Sequence, residues 1–430
     1  MRPEEVLEAV TADLRPTLGD ALEDVEGFFR RFVVMSDHAV TIVTLWVAHV
    51  YAFAAFEFTP YLAVTSATKR SGKSRLLEVL GVVLGSVRAV FTANISAASL
   101  FRLIDAKPGV AILFDEVDRI PKEKAEELWG LINSGWREGG QVHRQTGPKM
   151  ETLRAFATFS PKVLAGIGRP LPDTVDDRSL KVRMERRLPS ETVERLRLRR
   201  VEGEAAPIRA ALEAWATQAT LDRLAAAEPE LPSTIQNDRL LDVAEPLFAI
   251  ADMAGGDWPA RIRAAIADQE ATARQVEDDE LSLLALSHVV EAFAAKGADR
   301  IFTDDLLGYL ITLDGGPWAE WWGSNVELGK TVAPARRLRK LLDKFDGCKP
   351  QSLRIGDVSK RGYHLGPIQD AAYRYLSATS LTSATPLAST VADVADVADT
   401  PREVARDADL EGAPITPIDV MIARLRTEGR

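Results

Sequence analysis

Two lysines and three hydroxyl side chains lie within Ala67–Ser74, whose sequence ATKRSGKS stands between an apolar run and an amphipathic one. The apolar run, residues 61–65, predicts a buried strand, and the residues after Ser74 have the spacing of a helix. A segment of the form A/G-x-x-x-x-G-K-S/T between a strand and a helix directs backbone N–H groups and the helix dipole at phosphate oxygens. Lys73 would then contact the β and γ phosphates of ATP, and Ser74 would bind Mg²⁺. The residues predicted to bind the nucleotide are Ala67, Thr68, Lys69, Arg70, Ser71, Gly72, Lys73, Ser74 and Arg75.

A second apolar run, residues 110–114, ends in Asp115 and Glu116. A metal ion beside a triphosphate needs a carboxylate to orient its water ligands, so we assign Asp115 to Mg²⁺. Glu116 would polarise the attacking water. An ordinary strand that ends in an exposed acidic turn is the alternative. Asp118 is more typical of a turn or helix-cap residue than of a ligand.

Composition limits the class of protein. The chain has 430 residues, 46% of them hydrophobic, and a formal net charge of −10, so a uniformly basic nucleic-acid coat is excluded. Its single cysteine, Cys348, excludes an internal disulfide framework and fits a reducing compartment.

No export signal follows Met1, so we expect a cytoplasmic protein. The apolar run at residues 39–56 is nearly long enough to span a membrane, but its polar residues favour a buried helix, and we expect no membrane partner.

Short apolar runs alternate with helical patterns in the middle of the chain, which predicts a parallel α/β sheet. The predicted strands are 61–65, 87–91, 110–114, 162–167 and 179–184. The fold class is therefore α/β, with a P-loop NTPase core flanked by helical regions. We predict five regions: an N-terminal helical module at 1–58, the ATPase core at 59–189, a helical lid at 190–275, a winged-helix-like domain at 276–376 and a low-complexity tail at 377–430.

A β-hairpin is predicted after the helix at residues 122–137, because the alternating runs QVHRQ and TLRAFATF flank the turn Gly147-Pro148-Lys149. A lysine at such a tip is commonly solvated surface. The functional alternative is a DNA-tracking hairpin with His143, Arg144 and Lys149 near phosphates.

The order of phosphate loop, acidic strand, hairpin and the segment LPDTVDDRS resembles AAA+ ATPases, especially the superfamily-three helicases of phages and plasmids. Residues 25–376 more closely resemble an uncharacterised domain family of helicase-like proteins from prophages and bacterial mobile elements. The resemblance implies a ring, expected to be a hexamer, in which Arg178 completes the ATP site of the neighbouring subunit. The alternative for Arg178 is a salt bridge to Asp176 or Asp177.

Two further positions follow from the same resemblance. The helicase pattern often ends the strand before Arg178 in an asparagine that senses the γ phosphate, and this chain has Ile167-Gly168-Arg169 there. Arg239 is a candidate second sensor in the helical lid, with ordinary surface charge as the alternative.

Basic residues concentrate near the C-terminal end of the predicted winged helix, between Lys330 and Arg361. This stretch is a candidate face for duplex DNA, with a solvated helix or a protein contact as the alternative. The residues assigned to DNA are Arg336, Arg337, Arg339, Lys340, Lys360 and Arg361. Trp318, Trp321 and Trp322 could stack on bases but more commonly pack a core.

The leading hypothesis is an ATP-driven DNA motor or helicase from the replication system of a mobile element, with single-stranded DNA in its channel. A nucleotide-regulated DNA-binding switch or replication-initiator scaffold that unwinds nothing is the second. A signalling or defence ATPase is the third.

Overall fold

The computed structural model describes residues 17–146 and 152–376. It divides the chain into two compact units, Met1–Thr272 and Ala273–Arg430. The first 16 residues of the predicted N-terminal helical module, the hairpin tip with Lys149, and the tail after residue 376 lie outside the described residues.

The first unit alternates helices and strands. Its elements, in chain order, are α1 (Leu18–Phe32), α2 (Asp37–Tyr51), β1 (Tyr61–Ser66), α3 (Lys73–Arg88), β2 (Ala89–Thr92), α4 (Ala97–Ala106), β3 (Ala111–Phe114), α5 (Lys122–Ser134), β4 (Gln141–Thr146), β5 (Thr152–Ala157), β6 (Lys162–Ile167), α6 (Asp173–Asp176), β7 (Ser179–Arg183), α7 (Leu198–Trp215), α8 (Gln218–Ala225) and α9 (Asp238–Ala254). Helix α10 (Trp258–Lys296) begins in this unit and ends in the second.

Five parallel strands form the central sheet in the order β2-β3-β6-β1-β7, which confirms the α/β prediction. Strand β1 lies between β6 and β7, and β6 separates β1 from β3. Parallel strands end at one shared edge, so the segments after β1, β3, β6 and β7 all leave from the carboxyl edge. Strands β4 and β5 form a separate antiparallel hairpin, as predicted.

Helices cover both faces of this sheet, which is why its strands are continuously apolar. Side chains alternate between the faces: Leu62 and Val64 of β1 lie in the core with α1, α2, α3, α7 and α9. Tyr61 and Ala63 lie in a second core with α4 and α5. The N-terminal helices, the sheet and the helices after β7 therefore share one hydrophobic core, although the sequence analysis assigned them to three regions.

Helix α2 was predicted to reach Phe56 but ends at Tyr51, and a 3-10 turn at Phe53–Ala55 follows. Ser36 caps its N-terminus by accepting a hydrogen bond from the Ala39 N–H. The helix also buries His49, whose Nε2 lies 2.9 Å from the Thr59 hydroxyl oxygen. Nδ1 of this ring has no hydrogen-bond partner among the residues that the structure describes. Burial lowers the pKa of His49 to about 3.

We expect this histidine to make the protein less stable in acid. The unfolded chain takes up a proton near the ordinary pKa of 6.5, whereas the folded chain does not. The free energy of unfolding therefore decreases as pH falls below about 6.5. Between pH 7.5 and 5.0 this removes about 2 kcal/mol from the free energy of unfolding. Urea unfolding at both pH values would measure it, and His49→Gln should show a correspondingly smaller loss. Equal losses in the variant and the parent would contradict the assignment.

In its described part, residues 273–376, the second unit contains a three-stranded antiparallel sheet in the order β8-β10-β9 and four helices after α10. Its elements are β8 (Arg300–Phe302), α11 (Thr303–Leu310), α12 (Trp318–Glu327), α13 (Val332–Leu342), β9 (Gln351–Ile355), β10 (Val358–His364) and α14 (Leu365–Tyr375). Helix α12 was not predicted. Trp318 and Trp322 are buried in this unit's core, in agreement with the packing alternative.

None of the helices within residues 17–146 and 152–376 combines the length and the apolar character needed to cross a bilayer.

Candidate functional site

The segment between β1 and α3 is a tight loop whose backbone requires unusual conformations. Gly72, the N-cap of α3, has φ 87°, in the left-handed region that favours glycine. A Cβ atom built on Gly72 would also lie 3.4 Å from the Met184 Cε atom. Arg70 has φ 63°, and a non-glycine residue in this conformation is strained and concentrates at functional sites. No side-chain hydrogen bond caps the N-terminus of α3, so its first N–H groups are available to an external acceptor such as a phosphate oxygen.

Side chains of the loop are held by hydrogen bonds within it. The Lys73 ammonium donates to the Ser66 hydroxyl at 2.5 Å, and that hydroxyl donates to the Thr68 carbonyl at 2.8 Å. The buried Ser71 hydroxyl donates to the same carbonyl at 2.8 Å. Ser74 stands exposed in the first turn of α3. The structure thus brings a lysine, a hydroxyl and helix N–H groups together at one end of α3.

The acidic pair follows β3 at the same edge of the sheet. The Asp115 carboxylate accepts a hydrogen bond from the Glu116 N–H at 3.0 Å. Glu116 has φ 56°, and its carboxylate pairs with Arg119 at 2.7 Å. Because one strand separates β3 from β1, the two strands lie about 10 Å apart, a distance that a triphosphate can span. Left-handed non-glycine residues thus occur in both segments predicted to contact the nucleotide.

The strand between them, β6, is tied to both segments. The Ile167 N–H donates to the Asp118 carboxylate at 3.1 Å, and the Gly168 N–H donates to the Ser66 carbonyl at 3.0 Å. Asp118 therefore joins the acidic turn to β6, in agreement with its predicted role as a turn residue. No cluster of three or more His, Cys, Asp or Glu side chains suited to a metal occurs in the described part of the chain. One carboxylate and one hydroxyl still fit Mg²⁺, which commonly takes one or two carboxylates and completes its shell with phosphates and water.

Two cavities open beside the loop. A cavity of about 560 Å³ is lined by Ser66, Thr68 and Ser71 of the loop and by Arg183 and Arg186 at the end of β7. Arg186 donates from Nε to the Lys69 carbonyl at 3.0 Å, so it also fixes the loop backbone.

The other cavity, of about 370 Å³, lies between the residues after α1, the loop at Arg70–Gly72 and the segment that follows β7. Its walls include Phe32, Val33 and Met184, which are buried apolar side chains. The rest of its lining is largely charged and includes Arg70, Arg75 and Arg187. A cavity beside a phosphate loop that combines apolar side chains with polar groups suits a flat aromatic base, which has apolar faces and a polar edge.

Arg178 lies at the opposite, amino edge of the sheet. It precedes β7, and its carbonyl accepts from the Tyr61 N–H at the start of β1. Strand β1 is about 20 Å long at 3.3 Å per residue, so Arg178 is remote from the loop of its own chain. Its guanidinium donates to Asn133 Oδ1 at 2.6 Å and to the Thr174 carbonyl.

Asp176 and Asp177, the alternative partners predicted for Arg178, form salt bridges with other basic residues. Asp177 pairs with Arg239 at 2.8 Å, and Asp176 pairs with Lys181. Burial, followed by the nearby Arg239, lowers the pKa of Arg178. Arg239 therefore lies at the amino edge beside Arg178. Arg239, predicted to be a second nucleotide sensor with ordinary surface charge as the alternative, thus forms an ion pair at the edge opposite the loop.

Two of the predicted DNA contacts on the hairpin differ in exposure. His143 is exposed on β4, whereas Arg144 is half-buried and pairs with Glu127 of α5 at 3.0 Å. Lys149 lies outside the described residues.

Several basic residues of the second unit already have a hydrogen-bond, ion-pair or ring partner. Lys360 pairs with Asp304 at 3.3 Å, Arg361 donates to the Pro350 carbonyl at 2.9 Å, and Arg339 lies 3.5 Å from Asp343. The Arg337 guanidinium stacks 3.5 Å from the centre of the Trp321 ring. Arg336 and Lys340 are exposed on α13 without an ion pair in residues 152–376.

Arg183 and Arg186 were not predicted to line the site, although the run VRMERR, residues 182–187, spans the end of β7. Arg31 was not predicted either, and its contacts with Glu194 bring together residues 163 positions apart.

Comparisons with known proteins place these observations in a family context. The family model described as a protein of unknown function (DUF3631) matches residues 183–375. An uncharacterized 28.9 kDa protein in the xis 5′ region of Saccharopolyspora erythraea is 34% identical over 193 residues, which cover 45% of this chain and 68% of that protein. Among solved structures, the apo A form of the NrS-1 C-terminal region aligns with 80% of this chain and 75% of its own length, at 11% identity and a TM-score of 0.30. The family match begins at the end of β7, after the phosphate loop and the acidic pair.

Proposed function

We propose that this chain, which belongs to the family of proteins of unknown function (DUF3631), is an ATP-hydrolysing motor of the AAA+ type that acts on DNA. One observation carries the proposal: β1 and β3 deliver the Ala67–Ser74 loop and the acidic pair to the same edge of one parallel sheet. Each delivered segment also contains a non-glycine residue with positive φ. An unrelated turn would have no need for this strain.

Each residue has a defined part in the proposed reaction. Lys73 and the first N–H groups of α3 bind the β and γ phosphates and stabilise the negative charge that moves toward the leaving group. Ser74 and Asp115 would hold Mg²⁺, which neutralises phosphate charge when bound. Glu116 accepts a proton from the attacking water, and Arg119 orients its carboxylate before the reaction.

The position of Arg178 supports an assembly of several subunits. An arginine at the amino edge is too far from its own loop to contact that loop's γ phosphate, but it can contact a nucleotide bound by an adjacent copy. A closed ring would supply every site with such an arginine.

Contact with DNA is proposed from exposed polar side chains. His143 on the hairpin and Arg336 and Lys340 on α13 are exposed and can approach phosphates, and Lys149 is proposed from the sequence alone. The other predicted DNA contacts would first have to release their present partners, so we expect them to contribute less to DNA binding. These residues are Arg144, Arg337, Arg339, Lys360 and Arg361.

A second candidate function is a nucleotide-regulated DNA-binding switch that separates no strands. It is favoured by the end of β6, where Ile167 and Gly168 offer no polar side chain to the γ phosphate and donate their N–H groups to Asp118 and Ser66. Such a site would bind ATP well and hydrolyse it slowly.

The test is ATP turnover by the purified full chain, with and without single-stranded DNA, together with displacement of a strand from forked DNA. The motor predicts turnover that DNA stimulates and a displaced strand. The switch predicts ATP-dependent DNA binding with no displaced strand. An absence of ATP binding and turnover under all conditions would overturn both.

A further inference from the structure

The chain between β7 and α7 crosses the outside of the 370 Å³ cavity without forming a helix or a strand. We call residues 184–195 the strap. At its start the Met184 N–H donates to the Thr65 carbonyl at 2.7 Å, which extends β7 along β1. At its end the Glu194 N–H donates to the Arg31 carbonyl at 2.7 Å. The strap is thus attached to the sheet at one end and to α1 at the other.

Arg31 fastens the second end through its side chain as well. Its Nε and Nη2 atoms donate to the two carboxylate oxygens of Glu194, each at 2.9 Å, in a bidentate pair. Nη2 also donates to Glu204 of α7 at 2.8 Å. The guanidinium lies 4.9 Å from the centre of the Phe32 ring, which limits its movement. A bidentate arginine fixes the direction of its partner as well as the distance.

The clamped end of the strap is a wall of the cavity. Val193, Glu194 and Arg195 line one side, and Phe32 lines the side that α1 supplies. Arg31 therefore connects two walls, because the residue after it and its carboxylate partner both face the cavity. Glu204 does not line the cavity.

We infer that Arg31 is a positioning residue for nucleotide binding: by clamping Glu194, it holds the strap where the cavity accepts the base of the nucleotide whose phosphates the loop binds. This inference rests on the proposed function, since it assumes that the loop binds phosphates. The ligand class is a nucleoside triphosphate held at two points. Loss of the clamp would weaken the hold on the base and leave the hold on the phosphates unchanged.

The experiment compares ATP with inorganic tripolyphosphate, which has the phosphates but no base, by titration calorimetry on the full chain. Glu194→Gln keeps the size of the side chain and removes the charged bidentate pair. We expect its Kd for ATP to rise about fivefold and its Kd for tripolyphosphate to stay the same. Glu204→Gln is the matched control, because it removes the other carboxylate from the same guanidinium and should leave both Kd values within about twofold.

Each other outcome is decisive. Equal weakening of ATP and tripolyphosphate in Glu194→Gln would mean that the strap acts on the loop, and unchanged affinities would mean that the clamp is only structural; either overturns the inference and leaves the proposed function standing. A parent protein that binds neither ligand would overturn the proposed function, and the inference with it. Thermal unfolding of both variants would show whether a change in affinity follows from lost stability.

Discussion

Replacement of Lys73 by alanine is expected to lower the rate of ATP hydrolysis by a factor of about 10² to 10³. The ammonium is the loop's charged donor to the phosphates, and a preorganised donor acts most strongly on the charge that develops in the transition state. The fold should survive the change, because the Ser66 hydroxyl still donates to Thr68 and because α3 is held by its buried apolar face. Turnover at saturating ATP would measure the effect.

The matched control for Lys73 is Lys69→Ala in the same loop. The part of Lys69 predicted to face the nucleotide is its backbone N–H group, which alanine keeps, and its side chain is exposed. Its backbone carbonyl is the atom that Arg186 contacts. The alanine variant therefore keeps the loop fixed and loses the same formal charge. Full activity in Lys69→Ala combined with loss in Lys73→Ala supports the assignment. A Lys73→Ala protein that retains more than half of the parent's rate would contradict it.

The sheet could be predicted from the sequence because both of its faces are covered. A strand buried on both faces is apolar throughout, so its position along the chain is visible as a short run. The run predicted at 162–167 is β6 to the residue, and the run at 61–65 is one residue shorter than β1. The edge strand β2 was placed two residues early, and there Val87 and Phe91 are exposed. Burial on one side alone gives a weaker pattern.

Helix ends and helix α12 were harder to predict. The apolar pattern continues past Tyr51, and the chain leaves the helix there so that Phe53 packs against Phe159 at 4.4 Å between ring centres. Helix α12 follows Gly315-Gly316-Pro317, residues that predict a turn, and Trp318 anchors its start by donating its indole N–H to His288 Nδ1 of α10 at 2.8 Å. Both outcomes depend on tertiary contacts that local propensity does not contain.

The loop and the acidic pair could be recognised because their residues are adjacent in sequence. The roles of single charges could not, because their partners are distant. Lys162 would pass for a surface residue at the start of a strand, yet it is fully buried and donates to the carbonyls of Thr158 and Ser160 at 3.1 and 3.0 Å. Burial holds the pKa of Lys162 well below its ordinary value. Arg239 was predicted to be a second nucleotide sensor in the helical lid on a family pattern, and its pairing with Asp177 is visible only in the fold.

Arg178→Ala should be nearly inactive by itself, with a loss of about 10³-fold or more in turnover, because an arginine supplied to the γ phosphate contributes that much in related reactions. Its activity should return in part when it is mixed with Lys73→Ala. The two variants carry their defects on opposite edges of the sheet, so an interface that joins an intact Arg178 to a neighbour's intact Lys73 has a complete site. Random mixing in equal amounts gives such a site at about a quarter of the interfaces. Turnover of the mixture against each variant alone is the measurement.

Asn133→Ala separates this contribution from a structural one. The change removes a side chain that Arg178 contacts at 2.6 Å but leaves the guanidinium and its contact with the Trp136 ring. If Arg178 acts on a neighbour's nucleotide, Asn133→Ala should keep most of its turnover and the mixture of the two inactive variants should recover activity. If Arg178 only fastens α5 to the start of β7, both substitutions should lower the unfolding temperature together, and mixing should recover nothing. The second pattern would remove the reason for placing an adjoining subunit at the amino edge.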